Sequence, residues 1–334
     1  MSAEGRPAGS AVGVAAVGVR PPDGRGILAE LPDDGRFRLV AYSDEGLPPL
    51  PRADDDEADA AGSDDGGQSE PALACYPDYN VLLQDPQVEL VLVDGPIELR
   101  RDFAVRALNA GRHVVTAPPF CETAMDGERV AKTAIRKGLV ATMDLKWRGD
   151  ADFRAIRAAL AAENVSGVQG AFLFWAVSEP PSATAAPGLL ERFGMAMLDQ
   201  MRCVLREDVK SVNAHLLRPT PAAADAGFLL YMPLRSGGWA VCHAASRAVG
   251  ALPGWVLYTA QATFAVGHGR AVVSTGGEER TYLSPEAPVA FWDNVHAAIR
   301  EGAELACHPA DIVHAMKLAE AASESAELRE PVTV

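Results

Sequence analysis

The side chains of this sequence that could do chemistry sit in a few short stretches. In DLKWRGD, residues 144–150, Lys146 and Arg148 flank Trp147. Two cations beside an aromatic ring suit a carboxylate or phosphate, through charge-assisted hydrogen bonds and cation–π contact; solvated loop charges are the alternative reading. In WAVCHAASR, 239–247, strand alternation puts Trp239, Val241 and His243 on one face and Ala240, Cys242 and Ala244 on the other. His243 is the best-placed general base if that face lines a pocket, and a packed histidine at a sheet or oligomer interface if it does not. In LLERFGMAMLDQMRCVL, 189–205, Leu190, Phe193, Met197, Met201 and Val204 form an apolar helical stripe, leaving Arg192, Asp199 and Cys203 on another face. Lys146, His243 and Asp199 are therefore the catalytic candidates, with a structural role as the competing reading for Asp199. Arg148, Arg192 and Trp147, with Arg100 and Tyr79 near GPIELR, are the candidate substrate contacts. The cations together point to a small anionic metabolite.

Few other residues compete for these roles. Lysines are confined to Lys132, Lys137, Lys146, Lys210 and Lys317. The remaining histidines are scattered without metal-ligand spacing, and the five cysteines include no CxxC, which argues against zinc and against a disulfide framework. No metal site is expected.

The elements that must position these residues follow from apolar periodicity. AVGVAAVGV, 11–19, is a small-residue apolar run suited to a parallel strand buried on both faces. A helix-like stretch at 24–31 and a strand at 37–42 follow. After residue 70 the alternation continues with a helix at 78–84, a strand at 88–94, a helix from 97 to Gly111, the strand HVVT, a helix at 123–137 and a strand at 139–143. This order predicts a doubly wound parallel sheet. From about residue 165 the runs at 167–177, 209–217, 227–234, 239–246 and 256–266 predict an open, mostly antiparallel sheet, with RSGG, 235–238, as a hairpin turn. Helices are expected at 189–205, 287–300 and 309–325. The fold class is α/β: a tail at 1–10, a Rossmann-like domain at 11–149, and an α/β domain at 150–334.

The 334 residues carry a net charge of −15, with 48% hydrophobic and 22% charged residues. An acidic field of this size disfavours nucleic acid and anionic membranes. Residues 47–70 combine prolines, glycines and eight acids with almost no apolar residues, and read as a disordered surface insertion. No run is apolar enough for a membrane helix, and nothing reads as a signal peptide, so a cytoplasmic protein is expected.

FRLVAYSDE, YPDYNVLLQDPQVELVLVDGP, ALNAGRHVVTAPPF, FWDNVHAAIREG and the closing DIVHAMKLAEAASESAELREPVTV resemble successive segments of the Gfo/Idh/MocA family of NAD(P)-dependent oxidoreductases, and the likeness covers almost the whole chain. The resemblance implies an N-terminal Rossmann domain carrying the cofactor and a C-terminal domain whose open sheet supports the substrate pocket and often a dimer interface. It places Gly18 on a phosphate-loop glycine, Asp44 on the ribose-binding acid, and Pro96 and Pro119 on the prolines after the fourth and fifth strands. Three working parts depart from the family pattern. Val19, Arg20, Pro21 and Pro22 replace further glycines, and prolines offer no N–H to a phosphate. Ala117, Pro118 and Pro119 stand where the family has Glu-Lys-Pro. In the helix at 189–205, the best register puts Arg192 and Ala196 at the positions of the family's Asp and His, a one-residue shift puts Glu191 and Met195 there, and Asp199 fits its second acid.

These departures lead to the expectation of a vestigial cofactor site at Gly18, Asp44, Pro96 and Pro119. No cofactor is predicted, and the fold is expected to be repurposed for a non-redox step such as elimination, isomerisation or cyclisation. One alternative is a noncatalytic partner or regulatory subunit of an active homologue; a homodimer, or a hetero-oligomer with such a homologue, is expected to form through the C-terminal sheet. The other is an orthodox oxidoreductase using NAD or NADP.

Overall fold

The computed structural model describes residues 11–19, 26–47, 73–165, 167–177, 188–220, 223–246, 254–286 and 290–334. The predicted tail at 1–10 and most of the acidic insertion lie outside the described residues. The chain divides into two units, residues 1–144 with Phe291–Pro309, and residues 145–290 with 310–334.

The first unit is a six-stranded parallel sheet. Its strands are β1 (Val12–Val17), β2 (Phe37–Ser43), β3 (Ala74–Cys75), β4 (Leu90–Val93), β5 (His113–Thr116) and β6 (Ala141–Met143), in the spatial order β3-β2-β1-β4-β5-β6. Every residue of β1 and β4 is buried, as small and β-branched runs covered on both faces require. Helices α1 (Tyr79–Leu82), α2 (Ile97–Asn109) and α3 (Ala124–Lys137) supply the crossovers. The start of α3 is fixed by the Thr123 hydroxyl accepting from the Asp126 N–H, and its end by Gly138 in the left-handed region.

The predicted helix at 24–31 is realised as a 3-10 turn over Gly26–Glu30, because Pro32 ends it before an α-helix can propagate. The helix at 78–84 likewise shortens to α1.

The second unit has a nine-stranded sheet. In chain order its elements are α4 (Ala151–Ala162), β7 (Val168–Val177), α5 (Leu189–Leu205), β8 (Ser211–Leu217), β9 (Gly227–Pro233), β10 (Trp239–Ser246), β11 (Trp255–Thr259), β12 (Thr263–Gly267), β13 (Arg270–Thr275), β14 (Glu278–Leu283), and then, after α6 (Phe291–Glu301) of the first unit, α7 (Pro309–Leu328) and β15 (Val332–Thr333). The strand order is β14-β13-β12-β11-β7-β10-β9-β8-β15, antiparallel except where β10 lies parallel to β7. The hairpin turn at 235–238 forms, with Gly237 at positive φ. The run at 256–266 is two strands: the Thr259 hydroxyl accepts from Gln261 and Ala262 N–H and closes a turn between them. The hairpin β13–β14 was not anticipated, since its second strand, EERTYL, lacks an apolar face. Phe153, Ile156, Met197, Met201 and Leu318 from α4, α5 and α7 pack with Leu173, Leu230 and Trp255 of the sheet into one core.

The domain boundary also needs correction. The chain from Phe291 to Pro309 belongs to the first unit, not to the C-terminal domain. The apolar side of α6 seats Trp292 and Val295 in the cluster formed by Val12, Val14, Phe37, Leu90 and Leu92, with the Trp292 ring 5.4 Å from that of Phe37. Arg300, nearly buried, grips Glu89 through both oxygens at 2.8 and 3.1 Å and donates to the Ala11 carbonyl.

Candidate active site

In the first unit the strand order reverses between β1 and β4, the switch point where open α/β sheets bind ligands beyond their strand ends. Gly18 leaves β1 at φ +76, and a Cβ there would collide with the Gly95 Cα. Two glycine backbones thus meet at this point with no side chain between them. The Gly18 N–H donates to Ser43 O and the Asp94 N–H to Val17 O, locking the ends of β1, β2 and β4 together.

Asp94, the residue after β4, turns its carboxylate onto the start of the 3-10 turn, where Oδ2 accepts the Ile27 N–H at 2.9 Å. Burial raises its pKa; the Ile27 N–H and Arg100 oppose that shift and Glu30 adds to it. Sequence reading assigned Asp94 no role, although an acid directly after the fourth strand in VLVDGP was a visible signal.

Asp44 lies just past β2, its carbonyl accepting from Leu47. The adjacent Glu45 is tied to Arg106 at 2.6 Å and accepts the Tyr79 N–H; the Arg106 guanidinium holds its carboxyl below the usual range. Pro96 caps α2. The Pro119 carbonyl accepts from Arg100.

Two predicted substrate contacts in this unit are structural. Arg100 is buried and spends its guanidinium on the carbonyls of Gly95, Ala117 and Pro119, at 3.0, 2.8 and 2.5 Å, pinning the turn after β4 to the segment after β5. Tyr79 is fully buried with its O–H on Phe103 O, and its phenol pKa is driven upward by burial. Neither presents a surface to a ligand.

In the second unit DLKWRGD forms a short 3-10 turn, Lys146–Gly149, ahead of α4. Arg148 donates to both oxygens of Asp199 at 2.8 and 2.7 Å, and Trp147 Nε1 adds a third bond at 2.8 Å. Gln200 donates to the Trp147 carbonyl, and Arg148 also approaches Asp311, the ion-pair partner of Arg202. Asp199 is fully buried. A carboxylate so enclosed fastens α5 to the turn before α4 and takes up the charge of Arg148, so Asp199 as catalyst and Arg148 and Trp147 as ligand contacts are replaced by a scaffold role.

Lys146 is exposed. Arg192, also exposed, lies 4.9 Å over the Phe193 ring. Ala196 is a packed core residue. The strand alternation around His243 holds: Ala240, Cys242 and Ala244 are buried, while His243 lies half-buried on the opposite face, 5.2 Å from the Phe174 ring, its pKa lowered by burial. That face also carries Leu229 and Tyr231, paired with His243 and Val241.

Two cavities of the second unit, 370 and 580 Å³, share Cys203, Arg206 and Glu207 and contain none of the predicted site residues. Among the described residues no group of His, Cys, Asp or Glu could hold a metal ion, and no helix is long and apolar enough to cross a membrane.

The family model described as "Oxidoreductase family, NAD-binding Rossmann fold" (GFO_IDH_MocA) matches residues 53–145, the part of the chain that runs through β3–β6. Over those residues the chain is similar to the Gfo/Idh/MocA family. It is 33% identical over 88 residues to scyllo-inositol 2-dehydrogenase (NADP(+)) of Bacillus subtilis, a match covering 25% of each chain. To 1,5-anhydro-D-fructose reductase of Ensifer adhaerens it is 30% identical over 135 residues, 38% of this chain and 40% of that protein. The matches thus span between a quarter and two fifths of these curated relatives. In fold the likeness is nearly complete. The putative oxidoreductase yvaA of Bacillus subtilis superposes with a TM-score of 0.73 at 18% identity, covering 97% of this chain and 99% of that one. The putative oxidoreductase YPO2259 of Yersinia pestis gives 0.74 at 17%, covering 98% and 99%.

The matched family model is described as NAD-binding, so the group whose fit to the first unit matters is a nicotinamide dinucleotide. Gly18 and Gly95 let the ends of β1 and β4 pack backbone to backbone, the switch point lies beyond those ends, and Asp44 after β2 fits an acceptor for ribose hydroxyls. The anionic side chain of Asp94 at the same strand ends is the feature a diphosphate must contend with.

Proposed function

We propose that this protein is an oxidoreductase using NAD or NADP on a small, hydroxylated or carbonyl-bearing metabolite. The observation that carries the reading is the switch point of a 3-2-1-4-5-6 parallel sheet with Asp44 at the end of its second strand. The dehydrogenase and reductase names of the relatives support redox chemistry over the non-redox step that the sequence suggested. They also support polyols and sugars as substrate class. The anionic-substrate expectation loses its main support, because Arg148 is neutralised by Asp199.

Within this reading Asp44 holds ribose hydroxyls, and the diphosphate lies beyond the ends of β1 and β4. The bound nicotinamide supplies or accepts the hydride. The proton that accompanies it must move through a side chain, and Ala117, Pro118 and Ala196 have none that ionises. Of the predicted catalytic residues, Asp199 is held in its ion pair, His243 lies on the open sheet face and Lys146 is exposed.

The second unit supports self-association. His243, Val241, Leu229 and Tyr231 share a face on which Leu229 and Tyr231 stay 36% and 42% exposed, and a second copy presenting the same strands is the occupant that buries it.

The deciding experiment is titration of the purified protein with NADH and NADPH, followed by nicotinamide fluorescence. Saturable binding is expected. Absence of binding by the wild type and by a charge-neutral Asp94 variant would overturn the redox reading and return the fold to a nicotinamide-independent enzyme or an accessory subunit.

A further inference from the structure

We infer that Asp94 sets the dinucleotide affinity of this protein: its carboxylate is a resident anion that competes with the diphosphate at the end of β4. The inference rests on the dinucleotide reading above and deepens it. Three features carry it. Asp94 follows β4 directly, and its backbone N–H is bonded to Val17 O, so its side chain is fixed to the crossover between β1 and β4. Its Oδ2 already occupies the Ile27 N–H, a backbone donor at the element that leads away from β1. And the place it borders is the switch point, where the strand order reverses between β1 and β4.

Two charges act on that anion. Arg100 on α2, bonded to the carbonyls of Gly95, Ala117 and Pro119, offsets it in part, while Glu30 on the 3-10 turn adds to the negative field. A diphosphate entering here meets like charge and an occupied donor. Repulsion between like charges placed together in a partly desolvated site is the stronger of the two effects.

The consequence is specific to charge, which separates it from a packing role. Asp94→Asn keeps an acceptor for Ile27 and removes the anion; Asp94→Ser removes the anion with a smaller side chain. Binding of adenosine, ADP-ribose and NADH is measured by calorimetry on the full chain, wild type and both variants, at low and at high salt. ADP-ribose and NADH should bind each neutral variant about tenfold more tightly or better than wild type, the scale of one charge-assisted contact. The gain should shrink at high salt, and adenosine, which has no phosphate, should bind all three proteins alike.

Equal or weaker ADP-ribose binding by the folded variants, or the same gain for adenosine, overturns the inference while leaving the dinucleotide reading in place. Failure of all three proteins to bind NADH overturns that reading, and the inference with it. Thermal melts establish that each variant is folded, and the serine variant carries the test if the asparagine variant is not.

Discussion

At the scale of single residues, the ion pair between Arg148 and Asp199 governs how the candidate site must be read. Both oxygens of a fully buried carboxylate are filled by one guanidinium, and the Trp147 indole adds a further donor. Removing one partner leaves the other charge desolvated without compensation, which costs about 3–5 kcal/mol. Asp199→Asn should therefore lower stability in urea denaturation by that order, whereas Lys146→Ala, on the same turn but exposed, should change it by less than about 0.5 kcal/mol. If Asp199→Asn unfolds at the wild-type midpoint and loses only activity, the scaffold role is wrong. Arg100 makes the same point in the first unit. An arginine at this place in the sequence looks like an anion contact, yet here it is buried and holds three backbone carbonyls.

At the scale of elements, the decisive piece is α6. It follows the nine-stranded sheet in sequence and packs on the six-stranded one, through Trp292 and Val295 and through the grip of Arg300 on Glu89. Trp292 is 7% exposed and sits edge-on to Phe37, so Trp292→Ala should cost about 3–5 kcal/mol. Because the lost packing belongs to the parallel sheet, the destabilisation should appear in the amides of β1 and β2 by hydrogen exchange. A loss of protection confined to β8 and β9 would assign α6 to the other unit. The same element explains why a single cut near residue 150 fails as a domain boundary: the Rossmann sheet needs a cover for the face carrying Val12, Val14 and Leu92, and the chain supplies it from 148 residues downstream of β6.

At the scale of the whole molecule, the nine-stranded sheet is covered on one face by α4, α5 and α7, and its other face carries Leu229, Tyr231, Val241 and His243. Clustered apolar exposure of this kind marks an association surface. Val241→Glu should reduce the solution mass to that of one chain in light scattering, with the far-ultraviolet circular dichroism unchanged, because Val241 is only half-buried and its neighbours Ala240 and Cys242 carry the inner packing. An unchanged oligomer mass would move the interface elsewhere; a wild-type monomer would end the proposal.

The sequence by itself determined the fold class, since the strand and helix periods are local properties of the backbone and survive in any packing. It also determined which face of β10 is inner, and that no lysine stands at residues 117–119. The family likeness followed from the same local order. What the tertiary structure decided is the use of each charge. Asp199 meets Arg148 across 51 residues, Glu89 meets Arg300 across 211, and Asp94 meets Ile27 across 67. No period or spacing in the sequence encodes these pairs, because each is selected by which polar groups burial brings together, and a buried charge takes whichever partner the packed backbone leaves within hydrogen-bond reach.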